Sequence, residues 1–143
     1  MDIKLADMAD IIYEQLNSGE DIILTVRGTS MYPIFLDKKT EVTLRKKDSY
    51  SKGDVIFYRR DNGAFVLHRI IGKNSEGWIL RGDNQTVKEF AVRDDMILGY
   101  VVFYKNKKKK STSSLSFSFY SSIWAFFRFV RRPLCHFLRL FRR

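Results

Sequence analysis

The chain of 143 residues has one cysteine, Cys135, and two histidines, so it has no intrachain disulfide and no Cys/His cluster with the spacing of a structural zinc site. A reducing compartment is therefore expected, and neither a metal nor an organic cofactor is called for. No run of about 18 apolar residues occurs. The longest candidate in the C-terminal tail, Ile123 to Phe127, is broken by Arg128, so no segment is expected to span a bilayer unaided. Asp2 and Asp7 occupy the positions where an export signal carries a cationic and then an apolar stretch, and export by a cleaved signal is not expected. Acidic residues are missing from the last quarter: residues 105–143 hold 11 Lys+Arg and no acid, whereas residues 1–104 hold 15 Lys+Arg against 16 Asp+Glu. The formal charge of +10 is thus a property of the tail. The length suits one compact domain with an appendage and excludes a large multidomain enzyme.

Within those limits the apolar pattern divides the chain. Leu5, Met8, Ile11, Ile12 and Leu16 recur at three- and four-residue spacing, which predicts an amphipathic helix within residues 1–20 that ends near Asn17-Ser18-Gly19. From Asp21 the pattern changes to short β-type segments at Ile22–Val26, Glu41–Arg45, Asp54–Tyr58, Phe65–Ile71, Trp78–Arg81 and Met96–Tyr104. Asp61-Asn62-Gly63 supplies the positive φ values of a tight hairpin between two of them. Residues 21–104 are therefore expected to form a mainly β domain. Lys105–Lys110 and the serine-rich stretch that follows predict a linker over 105–122. A basic-aromatic amphipathic helix is expected over 123–143, with Pro133 as a kink.

In that last segment Arg128, Arg131, Arg132, His136, Arg139, Arg142 and Arg143 share an arc of roughly 140° on a helical projection. Trp124, Phe126 and Phe127 belong to the aromatic part of the tail. Separate cationic and aromatic faces suit the surface of an anionic membrane, with the aromatic face at the headgroup boundary. Nucleic acid would account for the charge and leave the aromatic face unexplained. A helix docked on a partner protein or on the domain itself is the other alternative. The membrane reading places the protein in the cytoplasm, peripheral on the inner face of the membrane.

Chemistry is concentrated in four short motifs. Gly28-Thr29-Ser30-Met31-Tyr32-Pro33 holds a serine just after a β-type segment, between a glycine and a proline that force a turn. A hydroxyl held at such a turn reaches a substrate while backbone N–H groups face a developing oxyanion. The alternative is an ordinary exposed turn serine. Serine needs a base, and His68, in Leu67-His68-Arg69-Ile70-Ile71, is the one histidine outside the tail. Its alternative is a satisfied core histidine. Asp83, in Arg81-Gly82-Asp83-Asn84, or Glu89 shortly after, supplies the carboxylate that orients an imidazole. Asp83 also suits a local turn acid.

With Lys52-Gly53-Asp54-Val55, these motifs resemble in order and spacing the boxes of the type I signal peptidase family. The resemblance implies a coiled antiparallel β-sheet fold and a serine endopeptidase, with Ser30 as nucleophile and its backbone N–H, aided by Thr29, at the oxyanion. Histidine rather than lysine at position 68 is similar to the endoplasmic-reticulum and archaeal subtype. That subtype has acids at the positions of Asp83 and Glu89, the second usually aspartate. The resemblance also implies a peptide or precursor-protein substrate laid along strands beside the nucleophile, with small side chains near the cut. Met31, Pro33, Val26 and Val66 are the substrate-binding residues it suggests. Gly28 stands where many members have a serine, and an amphipathic helix stands where the family has a membrane anchor. The competing reading is a peptidase-like module that binds a peptide or membrane without cutting. Oligomeric state is not encoded in any motif.

Overall fold

The computed structural model describes residues 8–120, 122–124 and 127. The chain divides after Thr112 into two compact units. The first is an antiparallel β domain. Its helix α1, Ala9–Asn17, buries Ala9, Ile12 and Leu16, while Ile11 is 54% exposed. The expected apolar stripe is therefore narrower than the periodicity suggests. Ile11 sits about 100° round the helix from Ile12 and falls off the buried face, and Leu5 lies outside the described residues. Gly19, with φ +88°, ends the helix in the left-handed conformation that a side chain would resist.

Eight strands follow: β1 Ile22–Thr25, β2 Glu41–Arg45, β3 Val55–Arg59, β4 Phe65–Asn74, β5 Gly77–Arg81, β6 Glu89–Val92, β7 Ile97–Lys105 and β8 Lys109–Ser111. They form one sheet in the order β1-β2-β7-β3-β4-β5-β6, with β8 paired to β7. The β-rich expectation holds, and the six anticipated segments correspond to β1 to β5 and β7 within a few residues. The Asp61-Asn62-Gly63 hairpin joins β3 to β4, with Gly63 at φ +84° and the Arg60 N–H bonded to the Ala64 carbonyl at 2.8 Å.

Register shifts at Thr43/Leu44, Phe57/Tyr58, Ile70/Gly72 and Trp78/Leu80 bend the sheet, because each extra residue raises local twist. Bending lets one face close over a core of Ile56, Tyr58, Ile70, Leu80, Val92 and Ile97. Strand β3 lies between β4 and β7 and buries Val55 to Tyr58 without alternation. That covered run explains why its sequence reads as continuously apolar.

Residues 105–122 are not a plain linker. Lys109–Ser111 turns back on β7, in the register Phe103↔Ser111, Tyr104↔Lys110 and Lys105↔Lys109. Asn106, at the hairpin tip, donates to the Ile34 carbonyl at 3.0 Å and bonds Thr40, which is fully buried. Backbone pairing and this side-chain anchor outweigh a composition that reads as solvated. In the second unit residues 115–120 and 122–124 are helical. Ser114 Oγ accepts from the Phe117 N–H at 3.3 Å, so serine here starts a helix. Tyr120 and Trp124 stack with ring centroids 6.3 Å apart, and Phe127 is exposed. Phe126, Arg128, Arg131, Arg132 and Arg139 lie outside the described residues. No helix among the described residues is long and apolar enough to cross a membrane.

Candidate active site

The turn that carries Ser30 follows β1 and is shaped by local bonds. Gly28 takes φ +85°, and its N–H donates to Asp37 Oδ1 at 2.8 Å. The Tyr32 N–H bonds the Thr29 carbonyl at 3.2 Å, and the Phe35 N–H bonds the Met31 carbonyl at 3.1 Å. Met31 is 1% exposed and anchors the turn in the interior. This corrects its assignment as a substrate contact: an apolar side chain next to an exposed turn gains more from burial than from facing solvent. Pro33 is half-buried, joined to Tyr32 by a cis peptide bond.

A second loop holds this turn from outside. The Asn84 N–H donates to the Ser30 carbonyl at 2.8 Å, and Asn84 Nδ2 donates to the Thr29 carbonyl at 3.2 Å. Gly82 is required for the approach. A Cβ there would lie 2.7 Å from the Ser30 carbonyl oxygen, which is backbone and has no room to yield. Gly82→Ala is expected to shift the Ser30 turn and lower kcat/KM about 100-fold, since misplacement by about 1 Å costs that much. Unchanged peptidase kinetics in a folded variant would separate this contact from activity.

Asp83, between those two residues, does not orient the imidazole. Its carboxylate accepts from Arg69 Nε at 2.8 Å and Nη2 at 2.7 Å. The Arg69 side chain is 9% exposed and that of Asp83 11%, and Arg69 Nη1 also donates to the Gly53 carbonyl at 2.9 Å. Since Arg69 follows His68 in β4 and Asp83 lies between Gly82 and Asn84, one buried ion pair ties the strand of the histidine to the loop that holds the serine.

Glu89 is the acid brought to His68. His68 is 2% exposed, and its Nδ1 lies 3.3 Å from Glu89 Oε1 and 3.3 Å from the Tyr58 hydroxyl. Tyr58 donates to Glu89 Oε2 at 2.6 Å, and Arg60 grips the same carboxylate through Nε, at 3.0 Å, and Nη2. The register explains the convergence. Val66 and His68 oppose Tyr58 and Ile56, so they project to the core face, and β6 brings Glu89 opposite Leu80 at its edge. Tyr58 and Arg60 are contributors that no motif singled out. The available signal was a tyrosine inside a continuously apolar strand, since a buried hydroxyl demands a partner.

The electrostatics follow from burial. Desolvation pulls the His68 pKa below its ordinary value, opposed by the charge of Glu89 and reinforced by that of Arg60. Burial pushes the Glu89 carboxyl up, but hydrogen bonds from Arg60 and Tyr58 outweigh it and leave the group below the usual carboxylate range. Burial, then the bond to Glu89, raises the Tyr58 phenol well above its ordinary value, keeping it a donor. At neutral pH the group is therefore a neutral imidazole beside an ionised carboxylate. With Nδ1 turned to Glu89 and Tyr58, Nε2 is the nitrogen left to take a proton.

A cleft of about 290 Å³ opens between β1 and the first half of β4, lined by Leu24, Val26, Val42, Phe57, Phe65 and Leu67 together with the polar Thr25 and the cationic Arg27. Among the described residues, strand β1 pairs with β2 alone, and β5 pairs with β4 only from Arg69 onward. Both strands thus leave an unpaired edge beside the cleft. Val26 is among its lining residues. The Val66 side chain packs against the Ile56–Tyr58–Ile70 core instead, because residues alternate along β4 and Phe65 and Leu67 take the cleft side.

The Peptidase S24-like family model matches residues 4–102. The LexA repressor of Lactiplantibacillus plantarum (strain ATCC BAA-793 / NCIMB 8826 / WCFS1) is 29% identical over 84 residues, 59% of this chain and 40% of that protein. The chain thus spans well under half the length of this curated relative. These matches lie with an S24-like peptidase fold and not with signal peptidase I itself. The catalytic-type motifs, the coiled antiparallel sheet and the family match over more than half of its length agree, and the chain belongs to the Peptidase S24-like family.

Proposed function

We propose that this S24-like domain is a serine endopeptidase with a Ser30–His68–Glu89 site, using the histidine base of the endoplasmic-reticulum and archaeal signal peptidases. The observation that carries this reading is the Glu89–Tyr58 pair at His68 Nδ1, which fixes the tautomer and directs Nε2 away from the carboxylate. Ser30 Oγ attacks the scissile carbonyl carbon while His68 Nε2 takes its proton. The oxyanion receives the Ser30 N–H, with Thr29 beside it. Collapse of the tetrahedral intermediate passes the proton from His68 to the leaving amine and leaves an acyl-serine. Water, deprotonated by His68, then releases the acid. The substrate is an extended segment that adds main-chain bonds to the free edge of β1.

Profiling a diverse peptide library by mass spectrometry, with wild type and Ser30→Ala, tests the reading. Cleavage by wild type alone supports it. Absence of cleavage by both would turn the assignment toward a peptide-binding module. The pH profile is a second check. Because neutral His68 is the active form and its pKa is lowered, activity is expected to be full at neutral pH and to fall on acidification, with its midpoint below the ordinary histidine value of about 6.5. Glu89→Gln removes the charge that favours imidazolium, so the midpoint should move further down, while the plateau rate drops by about 10²- to 10⁴-fold. A midpoint moving upward would exclude this role for Glu89.

The proposed setting is the anionic inner face of a membrane, with a peripheral cytoplasmic protein. Its support is the lysine-rich β7–β8 hairpin and the exposed aromatics of the second unit, Phe119 and Phe127. Co-sedimentation with anionic vesicles, lost when residues 113–143 are removed, is the expected result. Equal sedimentation of both proteins would refute it.

A further inference from the structure

We propose that Arg60 is a positioning residue of the peptidase site: its guanidinium holds the Glu89 carboxylate so that one oxygen faces His68 Nδ1. The inference rests on the peptidase reading and goes beyond it, since that reading gives roles to Glu89 and Tyr58 and none to the arginine. Reach is the first argument. Aspartate is usual at this position in the signal-peptidase subtype that the motifs resemble, and glutamate adds a methylene and a rotatable bond. An unrestrained Glu89 would spread over several rotamers and meet Nδ1 in few of them. Strand β6 restrains it little. Among the described residues β6 pairs with β5 alone, and the Glu89 side chain is 22% exposed. The restraint comes from donors: Oε2 accepts from the Tyr58 hydroxyl at 2.6 Å and from Arg60 Nε at 3.0 Å, and Oε1 accepts from Arg60 Nη2. Held by this fork, Oε1 lies 3.3 Å from His68 Nδ1.

Placement is the second argument. Arg60 follows β3 and opens the Asp61-Asn62-Gly63 hairpin. Its N–H donates to the Ala64 carbonyl and its carbonyl accepts from the Gly63 N–H, both at 2.8 Å, while Asn62 Oδ1 accepts from the Ala64 N–H at 3.0 Å. A closed turn thus fixes the backbone from which the guanidinium reaches Glu89. Charge is the third. The charged groups acting on His68 are Glu89 of β6, Asp83 after β5 and Arg60 after β3, and Tyr58 of β3 stays a neutral donor. Burial is the largest cause of the lowered His68 pKa; the two carboxylates oppose it and the arginine adds to it. Arg60 therefore orients the glutamate while tempering its pull on a proton, which keeps the base neutral further into acid.

Two measurements on the full chain test it. The Arg60 side chain is 38% exposed, so replacing it opens no core. In the first, kcat/KM for a cleaved peptide is followed against pH. Arg60→Gln is expected to lower the plateau about 10- to 100-fold through misplacement of the carboxylate, and to move the acid midpoint upward because a cation is removed. Arg60→Lys keeps the charge and loses the fork, so its midpoint should stay near wild type while its plateau remains lowered. Arg60→Gln added to Glu89→Gln should cost nothing further on the plateau, because the arginine acts through Glu89. In the second, the His68 ring is titrated by NMR in a His136→Gln background, which leaves His68 as the one histidine. The Nδ1–H tautomer is expected with Arg60 in place, and mixed tautomers with a raised midpoint in Arg60→Gln.

A folded Arg60→Gln protein with the wild-type midpoint or plateau would overturn the assignment and leave the peptidase reading intact, as would a full further loss on top of Glu89→Gln. Absence of cleavage by wild type, with the ring responding to Arg60→Gln as expected, would uphold the hold of Arg60 on Glu89 and overturn the peptidase reading. Absence of cleavage together with unchanged ring signals would overturn both.

Discussion

Ser30→Ala is expected to lower kcat/KM for a cleaved peptide by about 10⁴-fold or more while the protein stays folded. The size of the effect follows from the chemistry. Without Oγ there is no acyl-enzyme, and water must attack the carbonyl directly, leaving only oxyanion stabilisation and substrate alignment. The fold should be indifferent to the change. The Ser30 side chain makes no hydrogen bond among the described residues, and the bonds that hold the turn run through its carbonyl and that of Thr29. Thermal unfolding should therefore stay within about 1 kcal/mol of wild type, as for replacements away from packed features. Steady-state kinetics beside a melting curve checks both halves. A Ser30→Ala protein that cleaves within tenfold of wild type would end the serine mechanism.

Asp83→Ala is expected to destabilise the β domain by about 3–5 kcal/mol, a large share of the 5–15 kcal/mol by which domains are usually stable. The cause is a stranded cation. Arg69 is 7% exposed and gives two of its donors to Asp83, at 2.8 and 2.7 Å. Removing the carboxylate leaves a guanidinium whose desolvation is no longer offset by that pair. The melting temperature should fall by roughly 12 °C or more. The double variant Arg69→Met/Asp83→Leu should recover most of this loss, because a packed apolar pair replaces a buried ionic one at little net cost. It should not recover activity, since the ion pair joins the His68 strand to the loop that holds Ser30. Calorimetry on the three variants, with peptidase kinetics on the double, separates the roles. A double variant as active as wild type would show that the pair stabilises the fold without positioning the site.

The two acids show how far one-dimensional reading extends. Both are candidates because the resemblance has acids at both positions, Asp83 in a Gly-Asp-Asn turn and Glu89 six residues later. Nothing in Gly82-Asp83-Asn84 reveals that Arg69 turns toward it, because an arginine beside a histidine in a strand points to the other face, and only strand pairing decides what waits there. Glu89 reaches His68 because β6 pairs with β5 and carries it to the core edge next to Tyr58. Neither β6 nor β8 is visible as an apolar run. Glu89–Val92 has too few alternating apolar residues, and Lys109–Ser111 reads as solvated, yet each is held by the backbone of a neighbour. Ladder bonds are indifferent to side-chain polarity, and hydropathy does not register them.

Length, cysteine content, charge partition and the alternating pattern by themselves determined a mainly β domain with a basic appendage. The serine turn, the histidine strand and the two acids were also legible, because turn chemistry and short motifs are local properties of the chain. The tertiary structure decided which acid meets the imidazole, that Met31 and Val66 face inward, that Gly82 must lack a side chain, and that an apolar cleft lies beside the β1 edge. These depend on register, on the bulges that bend the sheet and on contacts between residues tens of positions apart. The physical reason is that a side chain's partner is fixed by where the backbone ladder places it, and a change of register by one residue would turn every such partner to the opposite face.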